Sequence, residues 1–261
     1  MLIPVTELAF HQRLGRLMAA LPAGEFWPEL ARFLGEAAAF DTWVAMLFHP
    51  GRSPTVLADR AVNYTAKDLF ADYRKSLYLL DPFYVFCQQP AAAGVYRVDE
   101  VAPEHFRETE YFRCYFSRNV VEDEVQLLAP LGNGDVLSFS MGSRKRFSAE
   151  EIGAILLYFP WIKQLMTLAA PAARPDPAEA GAEREQKVRE QLRLKGSTPL
   201  TDRELDVALL ILAGHPAKNI ARQLNISHET VKAHRRNLYA KLNVTAQAGL
   251  FLLMLEINQA G

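Results

Sequence analysis

The chain has 261 residues, half of them apolar and 23% charged, with a formal net charge of −1. That length suits two domains of ordinary size, and the composition excludes a disordered, collagen-like or disulfide-framed chain. Two cysteines, Cys87 and Cys114, stand far apart with no His or Cys companion at metal-ligand spacing, so we expect reduced core residues, no metal and a cytoplasmic setting. The N-terminal stretch "MLIPVTELAFHQRLGR" lacks a basic segment followed by a long apolar run, so no export signal is expected. The most membrane-like stretch, Ile152 to Ile162, holds Pro160 and stops at Lys163. It is about half the ~20 residues a spanning helix needs and reads as a buried helix, with no membrane partner.

In chain order, "VTELAFHQRLGRLMAAL" and "FWPELARFLGEAAAF" have the apolar spacing of amphipathic helices. "WVAMLFH", a turn-rich "PGRSP" and "TVLADRAV" predict a hairpin. "AKDLFADYRKSLYLL" is expected to be a helix ending at Asp81-Pro82, because a residue before proline disfavours the helical region. "AGVYRVDEV" predicts a short strand, and "PEHFRETEYFRCYFS" a helix with Pro103 near its first turn. "EDEVQLLAPL", the turn "GNGD" and "VLSFSMGS" make a second hairpin. The helix after it opens with Ser148 and Glu151 at capping-box spacing. Helices on both sides of about five strands predict an α/β/α sandwich with an antiparallel sheet over residues 1–168.

"AAPAARPDPAEAGAERE", residues 169–185, is rich in Pro and Ala without a large apolar side chain, the composition of a linker. A short helix over "REQKVREQLRLKG" closes the linker region 169–196. Residues 197–261 are almost purely helical, so the whole chain is α+β with a C-terminal all-α four-helix domain. Thr201 and Glu204 form another capping box, and Gly214 supplies the stop. "PAKNIARQL", the tight connection "NIS" and "HETVKAHRRNLYAKL" have the layout of a helix-turn-helix.

Between Lys218 and Lys241 there are six basic residues and one acidic, Glu229, on a chain that is otherwise acidic. At about 100° per residue, Val231, Leu238 and Leu242 share the core-facing side of the last helix. Lys232, Ala233, Arg236 and Ala240 fall opposite, with Asn237 at the edge. Long cations, an amide and small residues are what a helix needs to enter a DNA major groove and reach base edges. Ser227 and Thr230 at the helix start suit a phosphate oxygen, and Lys218 and Lys241 suit the flanking backbone. The competing reading is a solvated basic helix that meets an acidic protein.

"LTDRELDVALLILAG" followed by "AKNIARQLNISHETVKAHRRNLYAKLNVTAQA" resembles the DNA-binding domain of LuxR-type transcription regulators. The match runs ungapped through Thr201, Glu204, Lys218, Ile220, Ala221, Ile226, Thr230, Val231, Lys232, His234, Lys241 and Leu242. The resemblance implies double-stranded DNA as partner and base contacts from Lys232, Ala233 and Arg236. It further implies that "TAQAGLFLLMLEIN" pairs two copies, giving a homodimer on two half-sites.

The N-terminal domain lacks a Gly-rich phosphate loop, a nucleophile elbow, a metal constellation and the acidic set of a phosphorylation receiver, so neither an enzyme nor a cofactor is expected. Its many tyrosines and phenylalanines between Tyr64 and Tyr115 line either a small-molecule pocket or a plain core. Through "DYRKSLYLLDPFYVF", Tyr96 and "APLGNGDVLSFS" the domain resembles the autoinducer-binding domain of quorum-sensing LuxR-type regulators. The resemblance implies that Asp81 accepts a ligand amide, that Ser138 lies near a ligand carbonyl and that Tyr73 lines the pocket. Asp81 also reads simply as a helix terminator. The family's first tryptophan is Leu69 or Phe70 here, and its second is Tyr96. With that headgroup donor missing, the expected small-molecule effector is not a standard acyl-homoserine lactone. The alternative is a closed domain that serves as a dimerisation scaffold.

Overall fold

The computed structural model describes residues 6–21, 25–50, 52–60, 73–74, 77–88, 93–119, 122–132, 134–170 and 189–259. Strands β1 (Thr42–His49), β2 (Arg52–Arg60), β3 (Gly94–Arg97), β4 (Asp123–Pro130) and β5 (Val136–Ser143) form one antiparallel sheet of order β2-β1-β5-β4-β3. Both hairpins expected from the alternation are present.

Alternation divides the side chains between two faces. Trp43, Ala45, Leu47, Leu127, Phe139 and Met141 face helices α1 (Leu8–Ala19) and α2 (Phe26–Leu34) and the long helix after β5. Trp27 and Trp43 each stack on Phe139, with ring centroids 6.3 and 5.7 Å apart. The opposite face carries Met46, Phe48 and Leu128, and also Glu124, Gln126, Ser138 and Ser140, all buried. Over it lie a 3-10 turn (Leu77–Leu80), helices α3 (Pro82–Cys87) and α4 (Val98–Val101), a second 3-10 turn (Phe106–Glu108) and a π turn (Phe112–Phe116).

Three elements differ from the sequence expectation. Asp81 starts a helix where one was expected to end: its Oδ1 accepts from the Phe83 N–H at 2.9 Å, with Pro82 in the first helical position. The helix expected before it falls mostly outside the described residues. "AGVYRVDEV" is strand only to Arg97, where the Glu100 carboxylate accepts the Arg97 N–H at 2.6 Å and a helical turn begins. Residues 103–117 are not one helix. Thr109 interrupts them, its hydroxyl donating to the Phe106 carbonyl at 2.7 Å and accepting from the Phe112 N–H at 3.1 Å.

Helix α5 (Ala149–Ala169) has the Ser148–Glu151 capping box and runs on through Pro160. By length and composition alone it could cross a membrane, but Ile155, Ile162, Leu165 and Met166 are buried against the sheet. Residues 171–188, most of the expected linker, lie outside the described residues. Its last part, 189–196, packs on the C-terminal domain through Leu192. Gly196 is required there, since a Cβ would sit 2.5 Å from the Lys241 carbonyl oxygen.

The C-terminal domain comprises α6 (Asp202–Leu212), α7 (Ala217–Gln223), α8 (His228–Leu242) and α9 (Gln247–Gln259). Thr201 caps α6, with Glu204 closing the box. The α7–α8 connection turns through Asn225 at φ 53°, a left-handed conformation that asparagine tolerates. In α9, Leu250, Phe251 and Met254 are buried and Leu252 is 59% exposed.

Candidate functional site

Helix α8 is held by its inner stripe. Val231, Leu238 and Leu242 are buried against α6 and α7, the three positions the helical spacing selected. The outer side presents Lys232, Arg236 and Asn237 to solvent, with Ala233 half-exposed between them. Lys232 Nζ lies 2.9 Å from Glu229 Oε1, an exposed pair one turn apart. The Ser227 hydroxyl caps the helix by accepting the Thr230 N–H at 3.0 Å, and the two hydroxyls lie 2.7 Å apart. Lys218 is exposed in the first turn of α7. Lys241 sits differently: its Nζ donates to Glu204 Oε2 at 2.7 Å and to the Pro199 carbonyl at 3.2 Å, inside the domain. Burial opposes ionisation of Glu204, but hydrogen bonds from Lys241 and Thr201 outweigh it and hold the carboxyl below its ordinary pKa. Arg235 lies over the Tyr239 ring at 5.3 Å.

In the N-terminal domain the four residues singled out from the sequence fall on one side of the sheet. The Tyr73 hydroxyl donates to Asp81 Oδ2 at 2.5 Å. Ser138 donates to Gln126 Oε1 at 2.6 Å. Tyr96, half-buried on β3, packs its ring 5.0 Å from Phe86 and lies opposite Gln126 in the strand register.

The geometry adds members that the sequence reading did not name as site residues. Ser140 donates to Glu124 Oε1 at 2.5 Å, and Gln126 Nε2 donates to the same oxygen at 2.7 Å. Tyr115 stacks on Tyr73 at 5.7 Å, and Tyr111 packs beside it at 5.3 Å. Burial raises the Glu124 pKa to about 8, helped by the neighbouring Asp81 carboxyl. Burial also raises Asp81, with the bonds from Tyr73, Phe83 and Tyr84 working the other way. Tyr73 and Tyr111 are raised by burial first and by Asp81 second. The result is a buried polar cluster in which burial raises both carboxyls above their ordinary range. The signal for Glu124 and Ser140 was the period-two alternation of the β4–β5 hairpin, which places both on the face of Ser138. Among the described residues, no group of three His, Cys, Asp or Glu is placed to hold a metal.

Residues 198–254 match the family described as bacterial regulatory proteins, luxR family. A putative HTH-type transcriptional regulator in the exeN 3′ region of Aeromonas salmonicida is 31% identical over 188 residues, covering 67% of this chain and 93% of that protein. The transcriptional regulatory protein MctR of Rhizobium johnstonii is 47% identical over 62 residues, 24% of this chain and 29% of that one, so that likeness is partial. The crystal structure of the VqsR LBD domain from Pseudomonas aeruginosa is 37% identical, with a TM-score of 0.58, covering 62% of this chain and 97% of that one. An exposed cationic face on a helix-turn-helix, joined to a sheet domain of this architecture, agrees with those likenesses: the chain belongs to the LuxR family of DNA-binding transcription regulators.

Proposed function

We propose that the protein acts in the cytoplasm as a homodimer on two DNA half-sites and that a small molecule held in the N-terminal domain controls it. The domains are taken as 1–168 for sensing, 169–196 as linker and 197–261 for DNA reading. Lys232, Ala233, Arg236 and Asn237 would read base edges in the major groove, with Lys218, Ser227 and Thr230 on phosphates. Lys241 was expected among the phosphate contacts, and its bond to Glu204 favours a structural role.

The observation that carries the sensing role is the buried set Tyr73, Asp81, Glu124, Gln126, Ser138 and Ser140. A face built for stability alone is better served by apolar side chains, since the desolvation cost of buried carboxyls is only offset by their hydrogen bonds. Tyr96 would line the same pocket. Two carboxyls and Tyr96, in place of the family's tryptophan, favour an effector rich in N–H or O–H donors over a standard acyl-homoserine lactone.

The same hydrogen bonds support a second reading, because the network is satisfied by its own members. A pocket closed in that way would suit a ligand-independent dimerisation scaffold. Native mass spectrometry of the protein purified from its own host separates the two. An adduct that is stoichiometric and lost on denaturation establishes the sensor and gives the ligand mass. A clean apo protein, unchanged after incubation with host extract, establishes the scaffold.

A further inference from the structure

A cleft of about 420 Å³ opens where the two domains meet, a size that suits a small molecule. None of Tyr73, Asp81, Glu124 and Ser138 lines it, so it is separate from the buried cluster on the sheet. One edge of the cleft is tightly closed. A Cβ on Gly214, at φ +90° after α6, would sit 2.7 Å from Thr109 Cγ2 and 3.1 Å from the His105 carbonyl oxygen.

The floor is apolar, made by Ile211 of α6, Ile220 of α7 and Val231 of α8. Val231, Arg235 and Tyr239 follow one another four apart along α8 and so form one stripe. The cleft therefore takes the side of the helix next to the stripe that carries Lys232 and Arg236, which both stay exposed.

The rim is cationic. Arg113 lines it from the N-terminal domain and Arg235 from α8. Arg113 Nη1 has Glu110 Oε1 at 3.1 Å, whereas Arg235 lies 5.3 Å over the Tyr239 ring and, among the described residues, pairs with no carboxylate. The acid in the lining, Glu108, is exposed and sits 3.6 Å from the His105 ring. Burial pushes the His215 ring toward its neutral form. Gln223 Nε2 lies 3.3 Å from His215 Nδ1 and can only donate to it, which leaves the ring proton on Nε2 as a further donor. The Tyr239 hydroxyl is buried and has no hydrogen-bond partner among the described residues. Such orphans are rare in folded proteins, and a ligand oxygen is one way to answer them.

An apolar floor, an unpaired guanidinium and two spare donors are together complementary to an anion with an apolar body. A DNA phosphate would satisfy the cation but leave the floor uncovered. We propose that this cleft is a small-molecule site in its own right, which takes a compact apolar carboxylate. The head group lies on Arg235, with Arg113 adding charge, and the body covers Ile211, Ile220 and Val231. The site does not depend on the sensing role proposed above.

Isothermal titration calorimetry of the full chain tests this, with naphthoate as the probe and neutral naphthamide as its control. Naphthoate should bind once per chain, and naphthamide roughly tenfold more weakly, the worth of one charge-assisted hydrogen bond. Arg235→Gln should cost naphthoate roughly the same factor and leave naphthamide unchanged. Arg113→Gln, at an exposed position, should cost less, and it carries the test if Arg235→Gln does not fold. Glu108→Gln should tighten naphthoate, a change of opposite sign that general loosening of the seam would not produce. If naphthoate binds no better than naphthamide, or if neither arginine variant weakens it, the cleft is not a carboxylate site. If Arg235→Gln weakens binding to a DNA duplex while naphthoate binds as before, Arg235 serves a phosphate and the assignment falls.

Discussion

Ser140 donates its hydroxyl to the Glu124 carboxyl at 2.5 Å in the middle of the sheet, where neither residue meets water. Burial and the Asp81 carboxyl hold Glu124 at a pKa of about 8, above its ordinary 4.5. Between those values the folded chain keeps a proton that the unfolded chain has lost. Stability should therefore fall as pH rises through this window and level off above it. The slope reaches ~1.4 kcal/mol per pH unit at most. Glu124→Gln, which resembles the neutral acid, should flatten the profile in urea unfolding followed by far-UV circular dichroism. A wild-type midpoint unchanged from about pH 5 to 8 would show the carboxylate to be charged in the fold.

Lys232→Ala and Arg236→Ala should each weaken binding to a selected operator by ~1–3 kcal/mol and relax preference at the bases they meet. Lys218→Ala should weaken all sequences alike and reduce the salt slope by about one. Anisotropy titrations at fixed salt, using an operator drawn from a random DNA pool, provide the measurement. Equal losses on operator and random DNA for Arg236→Ala would remove that residue from the base-reading set.

Asp81→Ala removes both a helix cap and the acceptor for the Tyr73 hydroxyl. Loss of the cap alone should cost ~1 kcal/mol. Any small-molecule adduct should disappear from the native mass spectrum, while DNA binding by the C-terminal domain persists. Tyr73→Phe, which frees one Asp81 oxygen, should keep the adduct with altered affinity. An adduct that survives Asp81→Ala at full occupancy would take Asp81 out of the site.

Lys241→Met tests whether this lysine belongs to the fold or to the DNA interface. It leaves Glu204, whose side chain is 5% exposed, without its cation. Breaking such a pair costs ~3–5 kcal/mol when both partners are buried. With the Lys241 side chain 26% exposed, the loss should fall below that range. Chemical unfolding and DNA affinity measured on the same sample decide it. A phosphate contact would show instead as weaker binding at unchanged stability.

Local rules carried much of the fold into view. The capping boxes at Ser148–Glu151 and Thr201–Glu204 depend on residues three apart, so they are legible in any window that contains them. The faces of α8 followed from helical period alone. Elements governed by competing local bonds were harder. Thr109 breaks residues 103–117 into 3-10 and π turns by binding two backbone groups, although every neighbour suits a helix. The buried polar cluster was half-legible. Glu122, Asp123 and Glu124 are three consecutive acids in the sequence, yet the fold gives the last two opposite employment. Arg97 Nη2 bonds Asp123 at 2.5 Å at the edge of the sheet, whereas Glu124 points among serines. Alternation along β4 sends these neighbours to opposite faces, and strand register, which pairs Gln126 with Ser140 and brings Ser140 to Glu124, is the part no local window contains.

The stack of Trp27 and Trp43 on Phe139 lies wholly in the N-terminal domain, and the remaining tryptophan, Trp161, belongs to α5 of the same domain. The helix-turn-helix domain contains no tryptophan. Intrinsic indole emission is consequently a private channel to one half of the molecule. Unfolding that begins at the DNA-reading end will be silent in fluorescence and visible only as lost helical ellipticity, so the gap between the two optical transitions reports how cooperatively the halves melt.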